Sequence, residues 1–257
     1  MGRRTNANPD AVMTLGDHLE ELRARVILAL LGLGVGMGVC FVLGKWIIEF
    51  IKIPYNQVRA HHPELQSLAY LSPTDAFVSY MKICLIAGLI LSSPWVFYHL
   101  WMFVAAGLYP HERRYVYAAV PFCVALFAAG ALLFLFVIAP TALEFFITFG
   151  GWIGVVPMWM FQNYVSFITL MMLVFGVAFQ TPVVIFIAYR VGFVSIQTLR
   201  SVRKYALFTA FVIGAVVTPS VDPFSQTALA LPLYVLYEIG IILCVLSDRK
   251  RARTASE

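Results

Sequence analysis

Residues 164–189 read YVSFITLMMLVFGVAFQTPVVIFIAY, and this stretch carries no charged side chain. A helix needs about 20 apolar residues to cross the hydrocarbon core of a bilayer, so the stretch is long enough for one crossing. It belongs to a longer uncharged run, residues 145–189, which is too long for a single helix. A Gly-Gly pair and Pro157 interrupt the front of that run. We therefore expect residues 145–162 to form a re-entrant or interfacial segment on the outer side.

The rest of the chain repeats this pattern. Five further candidate spans are the runs 26–44, 83–109, 115–143, 205–221 and 224–246. These runs are continuous rather than alternating, which favours helices over a membrane barrel. The predicted fold class is an all-α membrane protein with six transmembrane helices. The last two helices are expected to be short, since the fifth run has only 17 residues and Pro232 and Glu238 interrupt the sixth.

The composition agrees with a membrane domain. Apolar residues make up 61% of the 257, and charged residues 12%, where a soluble domain carries about 25%. Mean hydropathy is +0.85. Too little polar surface is available to cover a soluble globule of this size, which excludes an ordinary cytosolic enzyme, a disordered chain and a disulfide-stapled secreted domain.

Lysine and arginine are distributed unevenly between the two sides of the predicted membrane. Fourteen of the 18 lie before the first span, between the second and third spans, between the fourth and fifth spans, or after the last span. The positive-inside rule therefore predicts that both termini are cytoplasmic. The expected organisation is a cytoplasmic segment with an amphipathic helix (residues 1–25), a membrane domain (26–246) and a basic tail (247–257). The net charge of +5 reflects this topology, and no nucleic acid is expected.

Two cytoplasmic segments carry acidic residues among basic ones. The segment before the first span contains Glu21, and the turn between the second and third spans contains Glu112. Each carboxylate has a simple explanation: Glu21 has the spacing of an i,i+4 ion pair with Arg25, and Glu112 is followed by two arginines. The alternative is that both carboxylates form a binding site at the cytoplasmic face.

Other polar residues leave alternatives open. Gln180 lies at membrane depth, where an amide either joins two helices by a hydrogen bond or lines a polar cavity. His99 is the only histidine within a predicted span. No nucleophile–base set, phosphate-binding loop or metal-ligand spacing stands out, so neither catalysis nor a cofactor is expected. A small-solute transporter with Gln180 and Glu238 at a midplane site is the alternative function, although the chain shows no internal repeat.

Seven motifs together resemble the TatC family, the polytopic receptor subunit of the twin-arginine protein translocase. They occur in the family's order and cover residues 15–246. The motifs are HLEELR (18–23), LSPTDAF (71–77), Ser93-Pro94 with Tyr98 and Trp101, LYPHERR (108–114), FGVAF (175–179), Thr218-Pro219 with Asp222 and Ser225-Gln226, and PLY with YE (232–238).

The resemblance implies a function and a set of site residues. The family binds signal peptides with paired arginines on folded cargo and recruits single-span subunits, of the TatA or TatB type, for export driven by the proton-motive force. Glu21 and Glu112 would receive the two arginines, and the neighbouring motif residues His18, Leu19 and Arg23 would belong to the same signal-peptide site. Partner docking and assembly, including homo-oligomerisation, would involve the last two spans with Thr218, Asp222, Gln226 and Glu238.

One position departs from the family pattern. The family commonly has an acidic residue where this chain has Gln180. A neutral amide cannot carry a proton-linked charge, so a mechanism that needs a titrating carboxylate at this depth is not expected here. A hydrogen-bonding or water-attracting role is still possible for the amide.

Overall fold

The structure is a computed structural model that describes residues 15–63, 65–106, 113–217 and 223–254. Nearly all of these residues are helical, and the only β-type pairing among them is an isolated bridge between Ala69 and Met160. In chain order the helices are α1 (Leu15–Val42), α2 (Gly44–Ile51), α3 (Ile53–His61), α4 (Asp75–Ala106), α5 (Arg113–Leu133), a π-helical segment (Phe134–Ile138), α6 (Ala139–Trp152), α7 (Phe161–Ala178), α8 (Thr181–Arg190), α9 (Ile196–Ser201), α10 (Arg203–Val217) and α11 (Pro223–Thr254).

Five stretches of the described chain are long and apolar enough to cross a bilayer. They are Leu19–Val42, Asp75–Ala105, Tyr117–Trp152, Phe161–Arg190 and Pro223–Arg249. The predicted fifth span corresponds to α10, whose 15 residues measure about 22 Å along the helix axis. The all-helical membrane fold is thus confirmed, and the count of six crossings stays a prediction.

The expectation of a short last helix is wrong. α11 is continuous over 32 residues, because neither of the two interrupting residues breaks it. Pro232 lies inside the helix, where it removes one backbone hydrogen bond but is tolerated in membrane helices. Glu238 accepts hydrogen bonds from Arg203 and Tyr234, so its charge is compensated within the chain.

The segment 145–162 is also more helical than predicted. α6 continues to Trp152, and the Gly-Gly pair lies within it. The chain turns only at Gly154, whose φ of +78° is a backbone conformation that glycine adopts without steric cost. A short extended stretch then leads to α7. The glycines therefore permit the turn after the helix instead of ending the helix.

The second span also begins earlier than the charge pattern predicts. α4 starts at Asp75, two turns before residue 83, and Lys82 lies inside it. The Lys82 ammonium donates a hydrogen bond to Ser166 Oγ at 2.9 Å. An amphipathic cation near a span's end can thus be accommodated by a neighbouring helix.

α1 packs against α4 along most of its length in antiparallel fashion. A Cβ atom added at Gly36 would lie 2.7 Å from the carbonyl oxygen of Gly88, and one added at Gly88 would lie 2.7 Å from the backbone nitrogen of Met37. Such close approach requires glycine on both helices. At the end of this contact nearest α2, the Tyr80 hydroxyl donates to the Phe41 carbonyl.

The core lies where α4, α5 and α7 meet. α2, α3 and residues 65–74 form a cap over one end of this core, fixed by the buried Tyr164 hydroxyl, which donates to the Ile51 carbonyl at 2.6 Å. α10 packs on α11 and α9, and α11 joins the bundle through α8. Since α1 begins at the end opposite the cap, the junctions α4–α5, α8–α10 and the end of α11 share that end, which we call the basic end.

Candidate functional site at the basic end

Glu21 lies in the first turns of α1, and its carboxylate is already paired. Arg25 donates to Glu21 Oε1 from Nη2 at 2.8 Å and from Nε at 3.0 Å. The two side chains are 24% and 23% exposed. The pairing is the i,i+4 alternative that the spacing predicts. The carboxylate therefore faces a guanidinium in a partly buried setting at the start of a membrane helix.

The amphipathic segment and the first span are one helix. α1 runs without a break from Leu15 to Val42, so the predicted surface helix is the beginning of the transmembrane one. Leu19 is 57% exposed and Arg23 is exposed as well, on faces that leave them accessible. His18 belongs to the first turns of the same helix.

Three predicted site residues, Glu112, Thr218 and Asp222, lie outside the described residues. The helices that flank Glu112 are described: α4 ends at Ala106 and α5 begins at Arg113. Both termini lie at the basic end, where α1 begins.

Gln180 lies between α7 and α8, where the helix of the fourth span is interrupted ahead of Pro182. Its Nε2 donates to the Cys123 carbonyl of α5 at 3.1 Å and to the Gly176 carbonyl at 3.4 Å. Within the described part of the chain its Oε1 is buried and has no hydrogen-bond partner. The structure thus contains the helix–helix hydrogen bond, and a water-attracting role of Oε1 stays a prediction.

The two described residues assigned to docking make bonds within the chain. Gln226 Nε2 donates to the Phe211 carbonyl at 2.9 Å. Glu238 accepts from Arg203 Nη2 at 2.9 Å and from the Tyr234 hydroxyl at 3.1 Å. Both residues therefore join α11 to α10, one near each end of the hairpin. Gln180 and Glu238 have separate partners, and no contact between them supports a shared midplane site.

His99 is a residue to which the sequence pattern gave no role. It is only 4% exposed on α4, and neither ring nitrogen has a hydrogen-bond partner among the described residues. Its ring contacts Trp95 edge to face, with 4.6 Å between centroids. The sequence shows only that a single histidine lies within an apolar run. Whether this histidine has a hydrogen-bond partner depends on how α1 and α4 are aligned.

Comparison with known proteins assigns the fold to a family. The sequence model of TatC, described as Sec-independent protein translocase protein, matches residues 17–232. The chain belongs to the TatC family. It is 39% identical to the TatC protein of Frankia casuarinae over 98% of this chain and 71% of that protein. It is 36% identical to the TatC protein of Aquifex aeolicus over 93% of this chain and 98% of that protein.

Solved TatC structures have the same fold. A crystal structure of the twin-arginine translocase receptor TatC superposes with a TM-score of 0.77 at 35% identity, covering 90% of this chain and 99% of the other. A second structure of that receptor, in the detergent DDM, gives 0.78 at 36% identity, covering 88% of this chain and 98% of the other. The predicted TatC resemblance is confirmed, and the chain is a multi-pass component of the Sec-independent protein translocase. TatC proteins are translocase receptor subunits and not catalysts, and the transporter alternative is set aside.

Proposed function

We propose that this TatC protein is the receptor for twin-arginine signal peptides of folded cargo, and that Glu21 and Glu112 bind the two arginines. The observation that carries the proposal is the Glu21–Arg25 pair, in which the carboxylate accepts two N–H groups of one guanidinium. A site that holds an internal arginine in this way has the chemistry to hold an incoming one. Arginine presents a planar fork of donors that lysine lacks, which favours arginine at such a site.

The surroundings of Glu21 support its assignment to a peptide site. Leu19 is exposed beside it and offers an apolar contact to the signal's hydrophobic segment, whereas the exposed Arg23 can contact polar parts of the peptide. His18 is assigned to the site as a member of the same motif. Glu112 follows α4 and precedes α5, whose ends lie at the same end of the bundle as Glu21. Two carboxylates in these two segments can bind two adjacent guanidinium groups.

The charge distribution supports a cytoplasmic location of this end. Twelve described lysines and arginines belong to the basic end, against four at the capped end. Those at the basic end are Arg23, Arg25, Arg113, Arg114, Arg190, Arg200, Arg203, Lys204, Arg249, Lys250, Arg251 and Arg253, and those at the capped end are Lys45, Lys52, Arg59 and Lys82. Positive charge favours the cytoplasmic side. We therefore assign the protein to the inner membrane of a bacterium with both termini inside, where unexported cargo is available.

The last two helices are proposed to recruit single-span subunits of the TatA or TatB type. α10 contacts α11 and α9, which leaves much of its surface exposed, including Phe208 and Val216. At about 22 Å it is shorter than the hydrocarbon core of about 30 Å, so the bilayer is thinned beside it. Thr218, Asp222, Gln226 and Glu238 lie on or between these helices, and the receptor is expected to form homo-oligomers.

Binding of a synthetic twin-arginine signal peptide to the purified protein in lipid nanodiscs tests the receptor function. We expect Glu21→Ala to raise the Kd at least tenfold, because a charge-assisted hydrogen bond contributes about 1.5–3 kcal/mol. Glu20→Ala is the matched control, since Glu20 is the neighbouring, exposed acid, and it should bind like the parent. Equal affinity of the parent and Glu21→Ala proteins would contradict the assignment.

A further inference from the structure

His99 is, like Ser79, a buried polar side chain that makes no hydrogen bond within the described bundle, and it is the larger and more polar of the two. Ser93 and Thr169, by contrast, donate to carbonyls of their own helices. His99 is 4% exposed, and both ring nitrogens are buried without a hydrogen-bond partner in the described part of the protein. A buried polar group without a partner is costly, and such a group calls for a functional explanation.

The contact between α1 and α4 brings this ring to the arginine site. Trp95 Nε1 donates to the Leu28 carbonyl at 2.8 Å, and the Trp95 ring fills the space above Gly32. Because the helices are antiparallel, one turn further toward the basic end leads from Trp95 to His99 on α4 and from Leu28 to Arg25 on α1. This register brings the positions of Arg25 and His99 next to each other across the contact between α1 and α4.

Binding of a signal arginine at Glu21 would leave Arg25 without its carboxylate acceptor. If an incoming guanidinium takes Glu21, the Arg25 side chain must leave the carboxylate. Its side chain is 23% exposed, and a partly buried cation without an acceptor is strongly destabilising. The cost of displacing Arg25 would then be subtracted from the affinity for the signal peptide.

We propose that His99 accepts Arg25 when the signal arginine displaces it from Glu21. A neutral imidazole has one acceptor nitrogen, and the guanidinium has five N–H donors, so the exchange leaves both cations paired. His99 would thus be a positioning residue that sets the affinity for the signal peptide without touching it. The inference rests on the proposed receptor function, because it presumes that Glu21 binds a signal arginine.

Variants at residue 99 test the exchange with a synthetic twin-arginine peptide and the full-length protein in nanodiscs. We expect His99→Phe to raise the Kd about tenfold and His99→Gln, which keeps an acceptor, to stay within threefold of the parent. Tyr98→Phe is the control for a change in the neighbouring ring. If His99→Phe does not accumulate, His99→Met gives the same comparison, since methionine fills irregular space without a strong acceptor.

A second background separates exchange from packing. In Arg25→Leu protein no cation has to be displaced, and we expect His99→Phe to leave the Kd unchanged there. An equal loss of affinity in both backgrounds would make His99 a packing residue and overturn the inference, as would parent-like binding of His99→Phe. Glu21→Ala, measured alongside, isolates the proposed function: parent-like binding of that variant overturns the receptor site and this inference with it, whereas weak binding combined with parent-like His99→Phe overturns the inference alone.

Discussion

Several polar side chains of this bundle form hydrogen bonds between helices of the same chain. Gln180 joins the fourth span to α5, Gln226 joins α11 to α10, and Lys82 joins α4 to α7. In hydrocarbon the alternative to such a bond is an unsatisfied group. At the scale of the residue, these polar side chains therefore fix the relative positions of neighbouring helices.

Gln180 allows a direct test at this scale. Gln180→Leu removes the hydrogen bond to the Cys123 carbonyl, and we expect the free energy of unfolding in detergent to fall by about 1 kcal/mol. Val177→Leu is a matched control, because Val177 lies three residues earlier in the same span and is 58% exposed. An unchanged free energy of unfolding for Gln180→Leu would mean that the amide makes no net contribution to stability.

The sequence predicts local pairing better than tertiary surroundings. The Glu21–Arg25 pair follows from i,i+4 spacing on one helix, and it was predicted as one of two alternatives. The partner of Gln226 and the cationic partner of Glu238 lie on α10, and the isolation of His99 depends on α1. Such contacts depend on the register between helices that are distant in sequence. Local residue spacing does not predict that register.

At the scale of the element, charge gaps locate the spans but not their ends. The fourth span was predicted at residues 164–189 and occupies α7 and α8. The second span and the last helix are longer than predicted, because Lys82 and Glu238 find partners on neighbouring helices. A charge ends an apolar run in the sequence, but it ends a helix only when nothing in the fold compensates it.

The contact of α1 with α4 gives a sharp prediction about glycine. Gly36→Ala places a methyl group 2.7 Å from the Gly88 carbonyl oxygen, and we expect the free energy of unfolding to fall by about 1–3 kcal/mol. Gly38→Ala, two residues along the same helix, meets nothing within 4 Å and should unfold like the parent. Thermal unfolding of the two purified variants would compare them, and equal stabilities would contradict the close approach.

At the scale of the whole molecule, function depends on which side of the membrane the basic end faces. The four native cysteines are buried, so single introduced cysteines can be labelled selectively. We expect His61→Cys, in the exposed end of α3, to react with an impermeant maleimide in intact spheroplasts. Gln197→Cys, exposed on α9, should react only after the membrane is opened. The reverse pattern would contradict the assigned orientation.

The π-helical segment Phe134–Ile138 has a consequence for how the two ends of the protein are connected. A π-helical turn holds one residue more than an α-helical turn, and one residue corresponds to a rotation of about 100° around the helix axis. α6 is therefore rotated about its axis relative to α5. This rotation directs Glu144 toward His62, the residue that follows α3, and the distance between His62 Nε2 and Glu144 Oε1 is 2.7 Å. Deleting a single residue from the π-helical segment would rotate Glu144 away from His62 while leaving the contacts of α5 in place. This one additional residue therefore sets how the cap is aligned with the rest of the bundle.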